Sequence, residues 1–219
     1  MEPKFNMTLE QNIFVAKRNI VDYIYKSAKL EGLSVTYPDT DAIYRGMVVQ
    51  GLSVNDVVAV NNLKHAWQFL LDTLDAPMNY AYLCKLNQIV GAGLFYNAGY
   101  IRNLPVSIGG TKWKPETPSE DGIKEKLIEL SNIKNPTERA IQTMLYCMRG
   151  QFFLDGNKRT SMLAANQIMI ANGNGIISVP EEMIPDFVRL LIKFYESGDI
   201  DEIRWFVYNN CIDGMPFGD

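Results

Sequence analysis

Histidine and cysteine are both scarce in this sequence. Its 219 residues include one histidine, His65, and three cysteines, Cys84, Cys147 and Cys211, which lie far apart and form no CxxC pair. Metal and redox sites built from such residues need closely spaced ligands or thiols. The sequence therefore predicts reduced cysteines within the hydrophobic core and disfavours a metal or redox centre made from them.

An excess of positive charge and a long apolar run are also missing. The net charge is −4 at pH 7 and the pI is near 5.2, whereas a general nucleic-acid-binding protein normally presents a basic face. No stretch reaches about 18 uninterrupted apolar residues, and residues 1–11 lack the apolar core of a signal peptide. We therefore expect a cytoplasmic protein with neither a nucleic-acid nor a membrane partner. A local basic pocket for a few phosphates is compatible with this composition.

What the sequence does contain is helical periodicity. Hydrophobic residues make up 47% and charged residues 21% of the chain, which is typical of one globular domain. Apolar residues at helical spacing indicate successive α-helices, the first of which ends near Gly32. Ser53 and Asn55 are N-cap candidates for the second helix, and Pro38 with the acidic residues after it indicates a loop. The predicted helices span residues 13–32, 54–74, 77–90, 123–130, 136–150, 161–172, 180–198 and 199–209.

Residues 99–118 break this pattern. Apolar residues such as Ile108 and Trp113 flank a Gly-Gly pair at 109–110, as in a β-hairpin with a two-residue turn. Prolines at both ends would keep such a hairpin at an edge, where its backbone is free to pair with another segment. A plain surface turn explains the same residues. The fold expected for residues 1–219 is a single all-α domain that carries one small β-hairpin.

The segment from Asp155 to Arg159, DGNKR, joins two apolar helices. Gly156 and Asn157 tolerate left-handed backbone conformations, so successive N–H groups can face one concavity. The next helix directs its positive end into the same space, and Lys158 and Arg159 add charge that suits phosphate. Asp155 would suit a Mg²⁺ ion that bridges phosphate oxygens. A tight turn with its charges in water explains the short motif equally well, but the apolar helices on both sides favour an anion site.

Residues 151–159, QFFLDGNKR, resemble the signature HxFx(D/E)GN(G/K)R of the Fic/Doc family, with the NKR ending of its Doc branch. Three other segments resemble family motifs and occur in the family's order. Residues 27–32, SAKLEG, resemble the inhibitory-helix motif (S/T)xxxE(G/N), residues 99–115 resemble the flap, and residues 174–180 resemble the connection after the central helix. Together the four segments extend over about residues 20–212 and indicate membership of this family.

The resemblance implies a Fido-type helical bundle that binds ATP with Mg²⁺. It also implies transfer of AMP, or in the Doc branch of phosphate, to a protein hydroxyl. The implied nucleotide site consists of Asp155 for the metal, the backbone of Gly156, Asn157 and Lys158 for the phosphates, and Arg159 as a phosphate-binding side chain.

Two further regions have roles implied by the resemblance. The helix over residues 13–32 is of the inhibitory type, with Ser27 and Glu31 as its motif residues. The hairpin over residues 99–118 is the flap, which in the family pairs with an extended segment of a target protein. Its implied target-binding residues are Val106, Ser107, Ile108 and Gly109.

Two positions depart from the family pattern. Gln151 occupies the position of the histidine that takes the proton from the attacking hydroxyl, and an amide is not basic near neutral pH. Because general-base catalysis contributes roughly 10² to 10⁴ in rate, we expect ordinary catalysis to be slowed by about that factor. His65, inside the helix predicted over residues 54–74, is more readily a packing or surface residue than a displaced base. Met162 occupies the position of a second arginine, the family's partner for Glu31, so inhibition by Glu31 is left open.

The expectation is therefore a nucleotide-binding Fic/Doc-like protein with a degenerate active site, related to protein adenylyltransferases and phosphotransferases. A non-catalytic nucleotide-binding or protein-interaction module is the alternative. The expected partners are a nucleotide and a target protein at the flap, and apolar helix faces are compatible with an oligomer.

Overall fold

The computed structural model describes residues 1–216, which form ten α-helices, one short 3-10 helix and one two-stranded sheet. The domain predicted over residues 1–219 thus includes three residues, 217–219, outside the described part. No helix within residues 1–216 has the length and apolarity needed to cross a bilayer. The α-helices are α1 Leu9–Arg18, α2 Ile20–Leu30, α3 Tyr37–Tyr44, α4 Val54–Asp72, α5 Tyr80–Val90, α6 Glu120–Ser131, α7 Pro136–Gly150, α8 Asn157–Ala171, α9 Ile184–Ser197 and α10 Asp201–Asn210. The 3-10 helix is Glu181–Met183, and the strands β1 Ile176–Ile177 and β2 Ile212–Asp213 are antiparallel, with Ile176 opposite Asp213.

The centre of the fold is α8, in which every residue from Arg159 to Ile170 is buried. It packs most extensively against α7, its predecessor in the chain, and further against α1, α4 and α5. A helix covered on all sides belongs to the core of a domain. Because α7 runs into α8 through a short loop, that loop lies at one end of the buried pair and is positioned by it.

Several predicted helix starts are confirmed, because their capping groups lie close by in the sequence. Ser53 precedes α4, and its Oγ accepts the N–H of Asp56 at 3.0 Å. Asn135 precedes α7, its Oδ1 accepts the N–H of Glu138 at 2.8 Å, and Pro136 occupies the first helical position. The mostly helical fold class is confirmed as well, although the one small sheet of residues 1–216 joins β1 and β2 and is not the predicted hairpin.

Two predictions near the N-terminus need correction. The helix predicted over residues 13–32 is broken at Asn19 (φ −106°, ψ 12°), so that α1 contacts α8 while α2 contacts α3 and α4. The loop predicted at Pro38 is the start of α3. Thr36 and Asp39 form a capping box there, and proline is accommodated in the first turn, where a missing N–H leaves no hydrogen bond unmade.

The hairpin predicted over residues 99–118 is not paired. The turn at 109–110 is present, but neither arm forms a strand. Pro105 and Pro115 have no N–H to donate, and the side chain of Arg102, rather than a backbone ladder, holds the two arms together. We keep the name flap for residues 99–118.

Candidate functional site

The loop between α7 and α8 consists of residues 151–156. It begins with Gln151 and ends with Gly156, whose φ angles are both positive, 44° and 75°. A Cβ atom at Gly156 would lie 3.1 Å from Cγ1 of Val90, so glycine suits both the backbone angle and the space. The loop therefore turns sharply, and the chain enters α8 directly from it.

The first turn of α8 contains three of the predicted site residues, Asn157, Lys158 and Arg159. The sequence predicted a helix start near Ser161, and the helix begins earlier because the left-handed Gly156 needs no extended segment before it. Unlike α1 and α3 to α7, α8 has no side-chain N-cap. The first N–H groups of a helix lack intrahelical partners and carry the positive end of the helix dipole. This uncapped end is chemically suited to an anion.

The side chain of Asn157 stabilises the loop from inside. Its Oδ1 accepts the N–H of Phe153 at 3.0 Å, and its Nδ2 donates to the carbonyl of Phe153 at 2.9 Å and to Oε1 of Gln151 at 3.2 Å. Phe152 and Phe153 are themselves buried, at 4% and 2% exposure. Only the backbone of Asn157 is therefore available to a ligand.

The positive side chains of this turn contact Glu31, directly after α2. The Nε of Arg159 lies 3.7 Å from Oε1 of Glu31, and Nζ of Lys158 lies 3.5 Å from its Oε2. Lys158 also donates to the carbonyl of Leu30 at 3.3 Å. The side chain of Arg159 is only 7% exposed, so this ion pair sits in an environment of reduced dielectric constant, where charges act strongly on each other.

The family's second arginine, the expected partner of Glu31, is replaced here by Met162. Glu31 nevertheless has positive partners. Arg159 and Lys158 take that place. Met162 itself is buried, and together with Ser27 it lines a small gap of about 20 Å³ between α2 and α8. The motif residues Ser27 and Glu31 thus both face the N-terminal half of α8.

Asp155 is the one charged residue of the loop over residues 151–156, and 61% of its side chain is accessible. Its Oδ1 accepts the N–H of Gly156 at 2.6 Å and lies 3.6 Å from Nη2 of Arg159. Within residues 1–216 no three His, Cys, Asp or Glu side chains converge as metal ligands. Mg²⁺ is commonly bound through one or two carboxylates, with phosphate and water completing its shell, and a single accessible carboxylate beside an anion site fits that pattern.

Both polar atoms of the Gln151 side-chain amide form hydrogen bonds within the protein. Its Nε2 donates to the carbonyl of Met148 at 2.7 Å and lies 3.5 Å from the hydroxyl of Tyr195, while its Oε1 accepts from Asn157. Burial raises the pKa of Tyr195, so its hydroxyl is protonated at neutral pH and is not a base. The histidine, His65, is exposed on α4. None of these three groups supplies the basicity of a histidine at the loop.

Residues 77–169 match the model of the Fic/DOC family. This part of the chain is similar to a Fic/DOC domain. The chain is 28% identical over 199 residues to the protein adenylyltransferase fic-1 of Caenorhabditis briggsae and 26% identical to that of Caenorhabditis elegans. Each match covers 84% of this chain and 38% of the relative, so the chain spans little more than a third of the length of the curated relatives it matches.

Solved structures share the fold of this chain. A structure of Fic-1 from C. elegans superposes with a TM-score of 0.74 at 25% identity, covering 89% of this chain and 61% of that chain. A Fic-domain-containing signalling protein from Bacteroides thetaiotaomicron has a TM-score of 0.76 at 17% identity, covering 92% and 85%, a likeness of fold. The resemblance read from the four sequence motifs is thereby confirmed at the level of the family domain and its helical fold.

The flap lies against α9. Thr111 donates through Oγ1 to Oε1 of Glu196 at 2.7 Å, and the ring of Trp113 stacks on Tyr195 with centroids 5.7 Å apart. Within residues 1–216 no backbone hydrogen bond joins the turn of the flap to another segment, so its peptide groups are free to pair. Of the predicted target-binding residues, Ser107 and Gly109 are exposed, and Val106 and Ile108 are half-buried.

The sequence analysis did not find one residue that positions the α7–α8 loop. Asn87, on α5, is fully buried. Its Oδ1 accepts the N–H of Gly99, and its Nδ2 donates to the carbonyl of Asp155 at 3.0 Å and to Oγ1 of Thr160 at 3.1 Å. It thereby joins the flap's first residues, the loop and α8. The available signal was a polar amide on the apolar face of a predicted helix, since a buried amide needs several partners.

Proposed function

We propose that this chain is a Fic/DOC protein that binds ATP with Mg²⁺ at the N-terminal end of α8 and transfers a group from it only weakly. The observation that carries this proposal is the uncapped first turn of α8 beside two cations, Lys158 and Arg159. The carboxylates next to them are Glu31 and Asp155. Backbone donors, a helix dipole and a fork-shaped guanidinium together are the chemistry that recognises a polyphosphate.

Each loop residue has a distinct role in this proposal. The backbone N–H groups of Asn157 and Lys158 bind phosphate oxygens, as does that of Gly156 once Asp155 releases it, and Arg159 binds them through its side chain. Asp155 holds the magnesium ion, which neutralises charge on the phosphates. The relatives named as adenylyltransferases support AMP as the transferred group, whereas the NKR ending resembles the phosphate-transferring Doc branch.

The substitution at Gln151 is the reason for weak transfer. The amide has no basicity near neutral pH, and its hydrogen bonds to Met148 and Asn157 already engage both ends. The attacking hydroxyl of a target segment at the flap therefore loses its proton to water or to a phosphate oxygen. A loose transition state for phosphoryl transfer tolerates this. The same hydrogen bonds favour the second candidate function, a nucleotide-binding module whose occupancy regulates access to the flap.

Glu31 is inhibitory in this proposal. Its carboxylate neutralises Lys158 and Arg159, the two positive side chains at the proposed phosphate site, and it repels phosphate oxygens that approach them. Ser27 completes the motif in the preceding turn of α2. A cytoplasmic site of action and a protein target at the flap are part of the same proposal.

A two-label experiment tests the catalytic part. The unmodified chain and a Gln151→His variant are incubated with ATP labelled at the α- or at the γ-phosphate, and self-labelling is measured. We expect the histidine variant to be labelled about 10² to 10⁴ times faster than the unmodified chain. Which of the two labels is transferred shows whether the group is AMP or phosphate. Equal rates in the two proteins would contradict the role assigned to Gln151.

A further inference from the structure

The most deeply buried charged side chain near the loop is that of Arg102, which is 2% exposed. No carboxylate of residues 1–216 forms an ion pair with it. Its guanidinium donates only to carbonyls, through Nε to Gln151 at 2.5 Å, through Nη1 to Leu104 at 2.8 Å, and through Nη2 to Glu116 at 2.5 Å and Gly150 at 3.5 Å. Hydrogen bonds from a charged donor are about twice as strong as neutral ones.

These carbonyls belong to three separate segments. Leu104 lies on the first arm of the flap, Glu116 on its second arm, and Gly150 and Gln151 at the end of α7. The backbone N–H of Arg102 also donates to the carbonyl of Phe152 at 2.8 Å. One residue thus closes the base of the flap and fastens it to the loop.

The contact with Gln151 has a particular consequence. Gln151 is one of two non-glycine residues within residues 1–216 with a positive φ angle, a conformation that persists only where its surroundings hold it. Its carbonyl is one of the groups that the guanidinium holds. The orientation of the Gln151 peptide, and with it the start of the loop, therefore depends on a side chain that also holds both arms of the flap.

We propose that Arg102 is a positioning residue that couples the flap to the α7–α8 loop. When a segment bound at the flap shifts either arm, the carbonyls of Leu104 and Glu116 move relative to those of Gly150 and Gln151, and the loop responds. By thermodynamic linkage, a ligand bound at the loop then changes the affinity of the flap for its segment by the same factor by which that segment changes the affinity of the loop. The effect on nucleotide binding rests on the proposed function; the attachment of the flap does not.

The flap attachment can be measured through Trp113. This half-buried ring contacts Tyr195, at 5.7 Å, and the guanidinium of Arg149, at 4.7 Å, so acrylamide should reach it less readily while the flap is in place than when the flap is released. A Trp205→Phe background removes the exposed tryptophan, and Trp67 is buried and constant. The variants are Arg102→Ala and Arg102→Lys, with Arg204→Ala as control. Arg204 is half-buried in ion pairs with Glu138 and Asp201 and does not contact the flap.

We expect the shielding of Trp113 from acrylamide to be lost in Arg102→Ala and partly retained in Arg102→Lys, because an ammonium group cannot span carbonyls on three segments. Ethylguanidinium at low millimolar concentration should restore shielding in Arg102→Ala, since it fits the vacated space. If the circular dichroism of Arg102→Ala shows that this variant does not fold, the shielding of Trp113 in Arg102→Lys alone tests the proposal. Shielding equal to that of Arg204→Ala in whichever Arg102 variant folds would overturn the proposal.

The nucleotide arm of the experiment separates this inference from the proposed function. In a protein that binds ATP with Mg²⁺, Arg102→Lys should weaken binding about tenfold, whereas Arg204→Ala should leave it unchanged. An unmodified chain that binds no nucleotide, together with the loss of Trp113 shielding in the Arg102 variants, would refute the proposed function and support the attachment of the flap by Arg102. If the unmodified chain binds the nucleotide and the Arg102 variants keep the shielding of Trp113, the proposed function is supported and the role of Arg102 is refuted.

Discussion

The carboxylate of Glu31 and the guanidinium of Arg159 face each other at 3.7 Å, and the facing atoms, Oε1 and Nε, are buried without a hydrogen-bond partner in residues 1–216. Opposite charges at this distance attract each other, but neither group recovers the hydrogen bonds that it gave up to water. A phosphate oxygen could replace the carboxylate and accept from the free N–H. In the proposed function, a phosphate of the nucleotide replaces the Glu31 carboxylate in this ion pair.

The first prediction concerns the stability of this pair. Arg159→Met removes the guanidinium and leaves Glu31 with Lys158 alone, which should lower the free energy of unfolding by about 1–3 kcal/mol. Adding Glu31→Gln to that variant should recover part of the loss, because no unpaired charge then remains. Urea unfolding of the two single variants and the double variant measures the coupling. Strictly additive effects would show that the two charges do not interact.

The second prediction concerns the turn into α8. Gly156→Ala places a Cβ atom at φ 75° and 3.1 Å from Val90, whereas Gly32→Ala has a similar φ of 77° and open space around it. The angle alone should cost about 1–2 kcal/mol at both sites. Crowding should add about 1–3 kcal/mol at Gly156 only. Thermal unfolding of both variants tests this, and an equal loss would mean that the packing against α5 is loose.

The third prediction separates a loop defect from general destabilisation. Asn87→Ala removes the donor to the carbonyl of Asp155, and Asn62→Ala removes the donor to the carbonyls of Val90 and Ala92. Both amides are buried, so each change should cost about 2–4 kcal/mol of unfolding free energy. Only Asn87→Ala should also weaken nucleotide binding, by about tenfold. Calorimetry on both variants would contradict this role if affinity fell equally in the two.

Local capping signals explain what the sequence predicted well. The start of α7 at Asn135 and Pro136 and the start of α4 after Ser53 depend on hydrogen bonds within one helical turn. The family motifs placed Asp155 to Arg159 in one loop region, because motif residues are adjacent in the chain. These features are readable because the interacting groups lie only a few residues apart.

The features that were missed depend on distant partners. The break at Asn19 lets α1 and α2 pack against different helices. The flap is closed by the side chain of Arg102, which reaches carbonyls as far away as Gln151. The partners of Glu31 are set by the position of the end of α2 beside the first turn of α8. The presence of Met162 in place of an arginine could not reveal them. Such contacts follow from the assembled fold and not from spacing along the chain.

A calorimetric titration with ATP and Mg²⁺ tests directly the anion site proposed at the start of α8. The proteins are the unmodified chain, Glu31→Gln, and Glu129→Gln, an exposed acidic residue on α6 that serves as control. We expect magnesium-dependent binding that is about tenfold tighter in Glu31→Gln than in the other two. If neither the unmodified chain nor Glu31→Gln binds the nucleotide, with or without magnesium, then the first turn of α8 is not a polyphosphate site.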